Sequence, residues 1–226
     1  YQLFHRFWRP DWQALREVAR IGWPIGLTMV AEGGLFVGSN VMMGWIGTQQ
    51  LAAHGIALEV TALAFMVHLG LSNAATIRAG RAYGRADAAG LRDGARMAVL
   101  MSIAFGAATI VLFLTLPAPI ISLFLDNANP AAPEIIAIGT VLLAIAALFQ
   151  MADASQVMAL GLLRGLQDTR VPMWIAAFSY WAVGIPASYV LAFPLGMGGV
   201  GLWLGLVVGL TVAAVLLLWR FWRRMR

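Results

Sequence analysis

The sequence predicts an all-α polytopic membrane protein in which six transmembrane helices form one bundle. Composition is the first reason. The 226 residues are 61% hydrophobic and 11% charged, with a mean hydropathy of +0.82, whereas about 25% of a typical soluble domain is charged. The second reason is a set of six apolar runs, each long enough to cross a bilayer core as a helix of about 20 residues. The third is the distribution of arginine along the chain.

The apolar runs set the predicted spans and domain limits. The spans are residues 21–44, 51–76, 97–116, 135–163, 171–193 and 200–219. Residues 1–20 are predicted to be a cytoplasmic linker with an amphipathic lead-in, and residues 220–226 a basic cytoplasmic tail. The chain opens at Tyr1 without an initiator Met and without the pattern of a signal peptide. We therefore expect a piece of a longer protein, cut inside a linker; a mature chain with its start removed is the alternative.

All 15 basic residues are arginines, and their positions alternate with the spans. They lie before span 1, between spans 2 and 3, between spans 4 and 5, and after span 6. The positive-inside rule then places both ends of this segment in the cytoplasm, as expected of a multi-pass protein of the cell (inner) membrane. Arginines split among four sites form no single nucleic-acid patch, despite a pI near 10.7. Their expected partner is anionic membrane lipid.

An acidic residue lies deep in span 4. Asp153 is flanked by Gln150 and Gln156, three residues away on either side, so that the three share one helical face. An ionisable group at such depth costs roughly 2.5 kcal/mol or more and is a functional-site hypothesis by default. Desolvation disfavours a bare carboxylate, so a buried acid binds a proton or a cation instead.

Glu32 is the second deep acid, near the middle of span 1, on a polar stripe with Thr28 and Ser39. An acid that holds a proton, a metal ion or a cationic ligand one at a time provides the competition that antiport requires. Glu59 lies nearer the outer end of span 2. It either lines the same cavity or sits at the membrane interface, and the sequence leaves both readings open.

The sequence contains no cysteine, which excludes disulfides and thiolate metal sites. We expect the span-2 histidines, His54 and His68, to make structural hydrogen bonds. No cofactor is predicted, and no metal beyond a monovalent cation at Asp153 and Glu32. No HExxH, GxxxxGK[ST] or GxSxG motif is present, so we predict that the protein is not an enzyme.

Small residues and proline indicate how the helices pack. Glycines at small-residue spacing predict close helix contacts in span 1 (Gly33, Gly34, Gly38) and in span 6 (Gly201, Gly205, Gly209). In span 5, Gly184 and Pro186 favour a kink, because proline removes a backbone hydrogen bond. Pro186 is therefore a hinge candidate.

Five stretches in order along the chain resemble the multidrug and toxic compound extrusion (MATE) family, specifically its second six-helix lobe. They are Ile21-Gly-Trp-Pro-Ile-Gly-Leu-Thr-Met-Val-Ala-Glu32, Leu51-Ala-Ala-His-Gly-Ile-Ala57, Phe149-Gln-Met-Ala-Asp-Ala-Ser-Gln156, Gly161-Leu-Leu-Arg-Gly-Leu-Gln-Asp-Thr-Arg-Val-Pro172 and Tyr180-Trp-Ala-Val-Gly-Ile-Pro186. No single stretch is decisive, but the set covers about residues 15–220.

The resemblance implies a proton- or sodium-coupled exporter of lipophilic organic cations, working by alternating access between two lobes. The N-terminal six-helix lobe would be a partner missing from this chain. Acids matching Glu32 and Asp153 are implicated in cation binding in the family. Phe149 stands where some members have a tyrosine, which leaves the choice between proton and sodium open. Glu59 stands where a neutral amide is expected and would add a third acid.

Other residues are candidates to line the cavity, since aromatic and Met side chains adapt to ligands of varied shape. They are Gln150, Gln156, Phe36, Phe65, Met66, Phe149, Met151 and Tyr180.

Three alternatives remain. A lipid or polyprenyl-lipid flippase would favour an arginine-lined cavity for pyrophosphate. A membrane-embedded enzyme needs catalytic acids or histidines clustered at one water interface. A structural membrane subunit would leave two acids at mid-depth unexplained.

Overall fold

The computed structural model describes residues 11–126 and 129–225, which form helices and turns without a β-strand among them. Six helical segments of this part are long and apolar enough to cross a membrane. The predicted all-α class with six membrane helices is confirmed. The first ten residues of the predicted lead-in, with Arg6 and Arg9, and Arg226 of the predicted tail lie outside the described residues.

Helices α1 (Trp12–Ile46) and α2 (Thr48–Gly84) form the first two spans, joined by Gly47 alone. Asp11 caps α1, because its carboxylate accepts from the backbone N–H groups of residues 13 and 14, both at 3.0 Å. The helix therefore begins nine residues before the predicted span. Residues 12–20 of the lead-in are its first turns.

The third and fourth spans are α3 (Ala88–Thr115) and α5 (Ala132–Gly165). Asp87 caps α3 by accepting from Gly90 N–H at 2.8 Å. A short helix, α4 (Pro117–Ser122), lies between the two spans. The sequence did not predict it. Pro117 at its first position suits a helix start, because that residue's N–H would have no intrahelical partner.

The fifth span contains two helices separated by a π-helical segment. They are α6 (Arg170–Ala177), the π segment (Phe178–Gly184) and α7 (Ile185–Ala192). The sixth span is α8 (Gly198–Arg224), which continues past the predicted end at residue 219. Pro186 is the second residue of α7, so Ile185 alone separates the π segment from the proline. Such segments mark where a helix departs from regular α geometry.

Helix α5 is the centre of the bundle and packs against α2, α3 and α8. Every residue from Gln156 to Leu163 is buried. A helix that is buried on all sides carries apolar residues on every face. This explains the long unbroken apolar run of α5 and the depth at which Asp153 lies within it.

Helices α2 and α5 cross closely near the arginine-rich end of the bundle. The Ser72 hydroxyl donates to the carbonyl of Val157 at 2.7 Å, and the Thr76 hydroxyl to that of Gly161 at 2.8 Å. A Cβ at Gly165 would lie 2.7 Å from the Thr76 carbonyl oxygen. The glycines near the end of span 4 thus allow this crossing.

The glycines of α8 pack closely, as predicted. A Cβ at Gly209 would lie 2.7 Å from Gly184 Cα, and one at Gly205 would overlap the backbone of Ser188. In α1, Gly34 leaves room for the ring of Trp181, which a Cβ would approach to 2.6 Å.

The other two α1 glycines differ from each other. A Cβ at Gly38 would lie 3.0 Å from the side chain of Ile185, whereas one at Gly33 would meet nothing within 4 Å. The packing prediction for Gly33 was wrong.

Candidate functional site

A cavity of about 180 Å³ lies between α1, α2 and α5. Its lining contains one acid from each of these helices, together with two phenylalanines. The lining residues are Glu32, Phe36, Leu58, Glu59, Thr61, Ala62, Phe65 and Asp153. Because α1 packs mainly on α2, α6 and α8, its acid meets the acid of α5 across this open space.

Glu32 and Asp153 are close enough for their charges to interact. Asp153 is 3% exposed, and its Oδ1 has no hydrogen-bond partner among the described residues. Two neighbouring carboxylates repel when both are ionised, so such a pair takes up a proton or a cation. Glu59 is more open than either, and its side chain is exposed.

Tyr180 and Arg164 complete the electrostatic environment of the acids. Tyr180 is fully buried, its hydroxyl has no partner among the described residues, and it interacts with Glu32, Asp153 and Arg164. Arg164 is partly buried in the last turn of α5 and interacts with Glu32. The site therefore places one arginine near Glu32, one of the two deep carboxylates.

The sequence interpretation assigned Arg164 to topology alone and missed this interaction. A signal was available in its spacing from Asp153. Eleven residues span three turns at 3.6 residues per turn, so both side chains share one face of α5.

The remaining predicted residues fall into two groups. Gln150 and Gln156 are fully buried beside Asp153, and their amides have no partner among the described residues. They flank Asp153 without lining the cavity. Tyr180, described above, and Met151 also lie outside the lining. Met66 is 58% exposed and lies outside it as well, whereas its neighbour Phe65 lines the cavity.

Phe149 forms a layer behind the cavity instead of lining it. Its ring centroid is 6.1 Å from that of Phe36 and 5.3 Å from that of Trp203, in edge-to-face arrangements. Phe36 is thus one of the two aromatic faces of the cavity, and Phe149 packs behind it.

His54 connects α1, α2 and α8 through buried hydrogen bonds. Trp203 Nε1 donates to His54 Nδ1 at 3.0 Å, and His54 Nε2 lies 3.3 Å from the Ser39 hydroxyl, which donates to the carbonyl of Phe36 at 2.7 Å. Since indole is a donor, Nδ1 accepts and Nε2 carries the hydrogen. The histidine is structural, as expected.

His68 also bonds within the protein, with its Nδ1 2.9 Å from the Ser102 hydroxyl. Among the described residues, no three His, Asp or Glu side chains come together as a metal site. The arrangement suits a single small cation or a proton near Glu32 and Asp153. Two phenylalanine faces and Glu59 adjoin that position, and aromatic faces attract organic cations.

Comparison with known proteins gives a consistent result. The model of the MatE family matches residues 24–190. The probable multidrug resistance protein NorM of Rhizobium meliloti is 46% identical over 226 residues, which are 100% of this chain and 48% of that protein. The protein of the same name from Agrobacterium fabrum is 48% identical over 221 residues, covering 98% of this chain and 48% of its own length. The chain spans about half the length of the curated relatives it matches.

Solved structures share the fold. A crystal structure of MATE in complex with MaL6 superimposes with a TM-score of 0.88 at 20% identity, over 96% of this chain and 48% of that chain. An outward-facing multidrug resistance MATE family transporter gives a TM-score of 0.87 at 19% identity, over the same two shares. At these identities the likeness concerns the fold, and it equates this chain with half of each structure.

Proposed function

Because the chain belongs to the MatE family, we propose that it is the second six-helix lobe of a cation-coupled antiporter. This transporter exports lipophilic organic cations by alternating access across the cell (inner) membrane. The names of the relatives as multidrug resistance proteins support export of drugs, and their double length supports an N-terminal lobe as the partner. The alternating arginines favour both ends of this segment in the cytoplasm.

The cavity with three acids is the observation that carries this proposal. In a low-dielectric environment it is energetically unfavourable for Glu32 and Asp153 to be ionised at the same time. A proton or a sodium ion therefore occupies their site in one state of the transport cycle. Arrival of an organic cation in the cavity raises the local positive charge and favours release of that ion. A cavity that holds either cation, but not both, couples the two fluxes in opposite directions.

We assign different roles to the three acids. Asp153 is buried at the deepest point and is assigned to the coupling ion, with Glu32 as its neighbour. Glu59 is exposed and adjoins Phe36 and Phe65, so it meets the substrate. Phe149 brings no oxygen ligand, which leaves proton and sodium as equal candidates for the ion.

The lining of the cavity disfavours the alternatives. A flippase for a pyrophosphate-linked lipid needs cationic walls, and the residues that line this cavity have acidic, aromatic, aliphatic or small hydroxyl side chains. An enzyme or a purely structural subunit would not carry the multidrug resistance names of these relatives.

The test uses the full-length transporter in sealed vesicles loaded with a fluorescent lipophilic cation, under a pH gradient or a sodium gradient. The unaltered protein is expected to expel the dye under one of the two gradients, which names the ion. Asp153→Asn is expected to lower gradient-driven efflux to the level of protein-free vesicles, because a neutral amide releases no proton and binds sodium weakly.

Asp93→Asn is the matched control, the same chemical change at an exposed site on α3. Its efflux should equal that of the unaltered protein. Undiminished efflux in a folded Asp153→Asn variant would remove Asp153 from the mechanism. No efflux under either gradient with the unaltered protein would overturn the antiporter proposal itself.

A further inference from the structure

Three arginines near the end of α2 share one side of the helix. Arg78, Arg81 and Arg85 are spaced at i, i+3 and i+7, which places them within about 60° of one another around the helix axis. All three are exposed. The acidic cavity between Glu32 and Asp153 makes no use of them.

These arginines line a cleft of about 560 Å³ beside the start of α3. The cleft is apolar at one end and basic at the other. Along α2 its lining runs from Ala74 and Ile77 to Ala82, about 12 Å of helix at 1.5 Å per residue, and then includes Arg85 just after the helix end. Ile77 is 59% exposed. The gradient from apolar to basic thus runs along the axis of a membrane-spanning helix.

The positive charge of the cleft is largely unbalanced by protein groups. Arg85 lies 3.7 Å from Asp87 in an exposed pair, and Asp87 also caps α3 through Gly90. Within the described part of the chain, Arg78 and Arg81 have no carboxylate within 4.0 Å.

The neighbouring helix leaves room for one of these arginines. Arg78 lies over Gly94 of α3, where a Cβ would come 2.8 Å from Arg78 Nε. The glycine lets the guanidinium lie along α3 at the wall of the cleft.

We propose that this cleft binds the headgroup of an anionic phospholipid from the cytoplasmic leaflet. Guanidinium groups pair with phosphate oxygens through two parallel hydrogen bonds. The positive-inside rule places this end of α2 at the leaflet that carries anionic lipid. A headgroup phosphate at Arg78 and Arg81 leaves the acyl chains beside Ile77, at the apolar end. A soluble anion would make no use of that end.

The experiment measures lipid binding to the full-length protein by native mass spectrometry, in detergent titrated with phosphatidylglycerol or phosphatidylcholine. Phosphatidylglycerol is expected to bind more tightly. The double variant Arg78→Gln/Arg81→Gln is expected to weaken its binding roughly 30-fold, because each arginine near a membrane surface contributes to the attraction of anionic lipid. Transport is not the readout, so the result is independent of the antiporter proposal.

The matched control is Arg92→Gln/Arg96→Gln, which removes the same charge from exposed arginines of α3 outside the cleft lining. It should leave the affinity within about threefold of the unaltered value, far less than the loss expected from two arginines in contact with the lipid. Equal losses of affinity for phosphatidylglycerol in the two double variants would overturn the proposed binding site in the cleft and would indicate diffuse electrostatic attraction instead. Equal binding of the two lipids would also overturn the proposal.

Two further arms complete the test. Arg78→Lys/Arg81→Lys keeps both charges but loses the paired guanidinium hydrogen bonds, so its affinity for phosphatidylglycerol should lie between that of the unaltered protein and that of the glutamine double variant. An affinity no higher than that of the glutamine double variant, in folded protein, would contradict a headgroup site based on charge. Inorganic phosphate is the competitor that separates a lipid site from a soluble-anion site. Full displacement of phosphatidylglycerol by millimolar phosphate would overturn the lipid assignment.

Discussion

Glu59 differs from the other two acids of the cavity in its access to solvent. It lies eleven residues from the start of α2, about 16 Å along the helix, and its side chain is exposed. A carboxylate exposed to hydrocarbon at such depth is costly. We therefore expect the surface of α2 around Glu59 to face water inside the membrane, and under the proposed function Glu59 would be the acid that an incoming substrate meets first.

Substitution of Glu59 tests this role. Glu59→Gln is expected to raise KM for dicationic substrates more than for monocations, because it removes the acid that is separated from the deep pair and would meet the second positive charge. The dependence of efflux on the ion gradient should persist, since Asp153 is intact. Initial rates in vesicles over a range of substrate concentrations measure both. Loss of gradient dependence would instead assign Glu59 to the coupling ion.

The hydrogen bond between Trp203 and His54 is a second prediction at the residue scale. Trp203→Phe keeps an aromatic side chain, smaller than the indole, but leaves His54 Nδ1 buried without its donor, which should lower stability by about 1–3 kcal/mol. Thermal unfolding in detergent reports the loss. Trp174→Phe, at a side chain that is 68% exposed, is the control and should unfold like the unaltered protein. Equal unfolding of the two variants would show that the bond contributes little.

The deep acids could be predicted from the sequence because a charge inside an apolar run is conspicuous. Glu32 and Asp153 were found in this way, and the structure brings them to one cavity. Arg164 lies where the apolar run ends. An arginine at that position is already explained by the positive-inside rule, so its place at the end of the run offered no reason to assign it to the site. Its proximity to Glu32 depends on how α1 is placed across the cavity from α5 through its packing on α2, α6 and α8, which no local pattern encodes.

At the scale of the helices, hydropathy marks where the chain crosses the membrane, whereas backbone hydrogen bonds decide where a helix ends. Helix α2 thus continues to Gly84, eight residues beyond the predicted span, and carries its arginines on regular turns. The π segment was not predicted, because its composition is that of any apolar helix. Proline and glycine indicated a departure from regularity near Pro186 but not its form, and the hinge role of Pro186 stays a prediction.

The close contact of α8 with α7 predicts a large effect of one methyl group. Gly205→Ala would force a Cβ into the backbone at Ser188, and overpacking of this kind costs about 1–3 kcal/mol. Gly55→Ala is the matched control within α2, because a Cβ there meets nothing within 4 Å. The unfolding temperature should fall for Gly205→Ala and stay the same or rise for Gly55→Ala. Similar unfolding temperatures would mean that the helices separate at little cost.

For the molecule as a whole, two kinds of apolar surface have to be told apart. One, as on α3, is expected to face lipid, and the other lines the acidic cavity that we assign to the gap between two lobes. Hydropathy cannot separate these surfaces, because a drug-binding cavity is itself rich in apolar and aromatic groups. The polar stripes and the family resemblance were needed to identify the cavity side.

Cysteine accessibility distinguishes the two surfaces, and this chain has no cysteine of its own. Ala62→Cys, in the cavity lining, is expected to react with a small hydrophilic maleimide, because water fills the gap between the lobes. Leu114→Cys, at a 54% exposed site on α3, should stay unlabelled, since thiols in hydrocarbon do not ionise. Equal labelling of the two sites in vesicles would contradict the assignment of surfaces.

The connection at Gly47 has a consequence for biosynthesis. No charged residue lies between Ile46 and Leu51, and α2 begins one residue after the glycine. No ionised group near this turn therefore has to be carried across the hydrocarbon as the chain is inserted. Helices α1 and α2 can therefore enter the bilayer from the translocon together, as a helical hairpin whose turn at Gly47 crosses the membrane first.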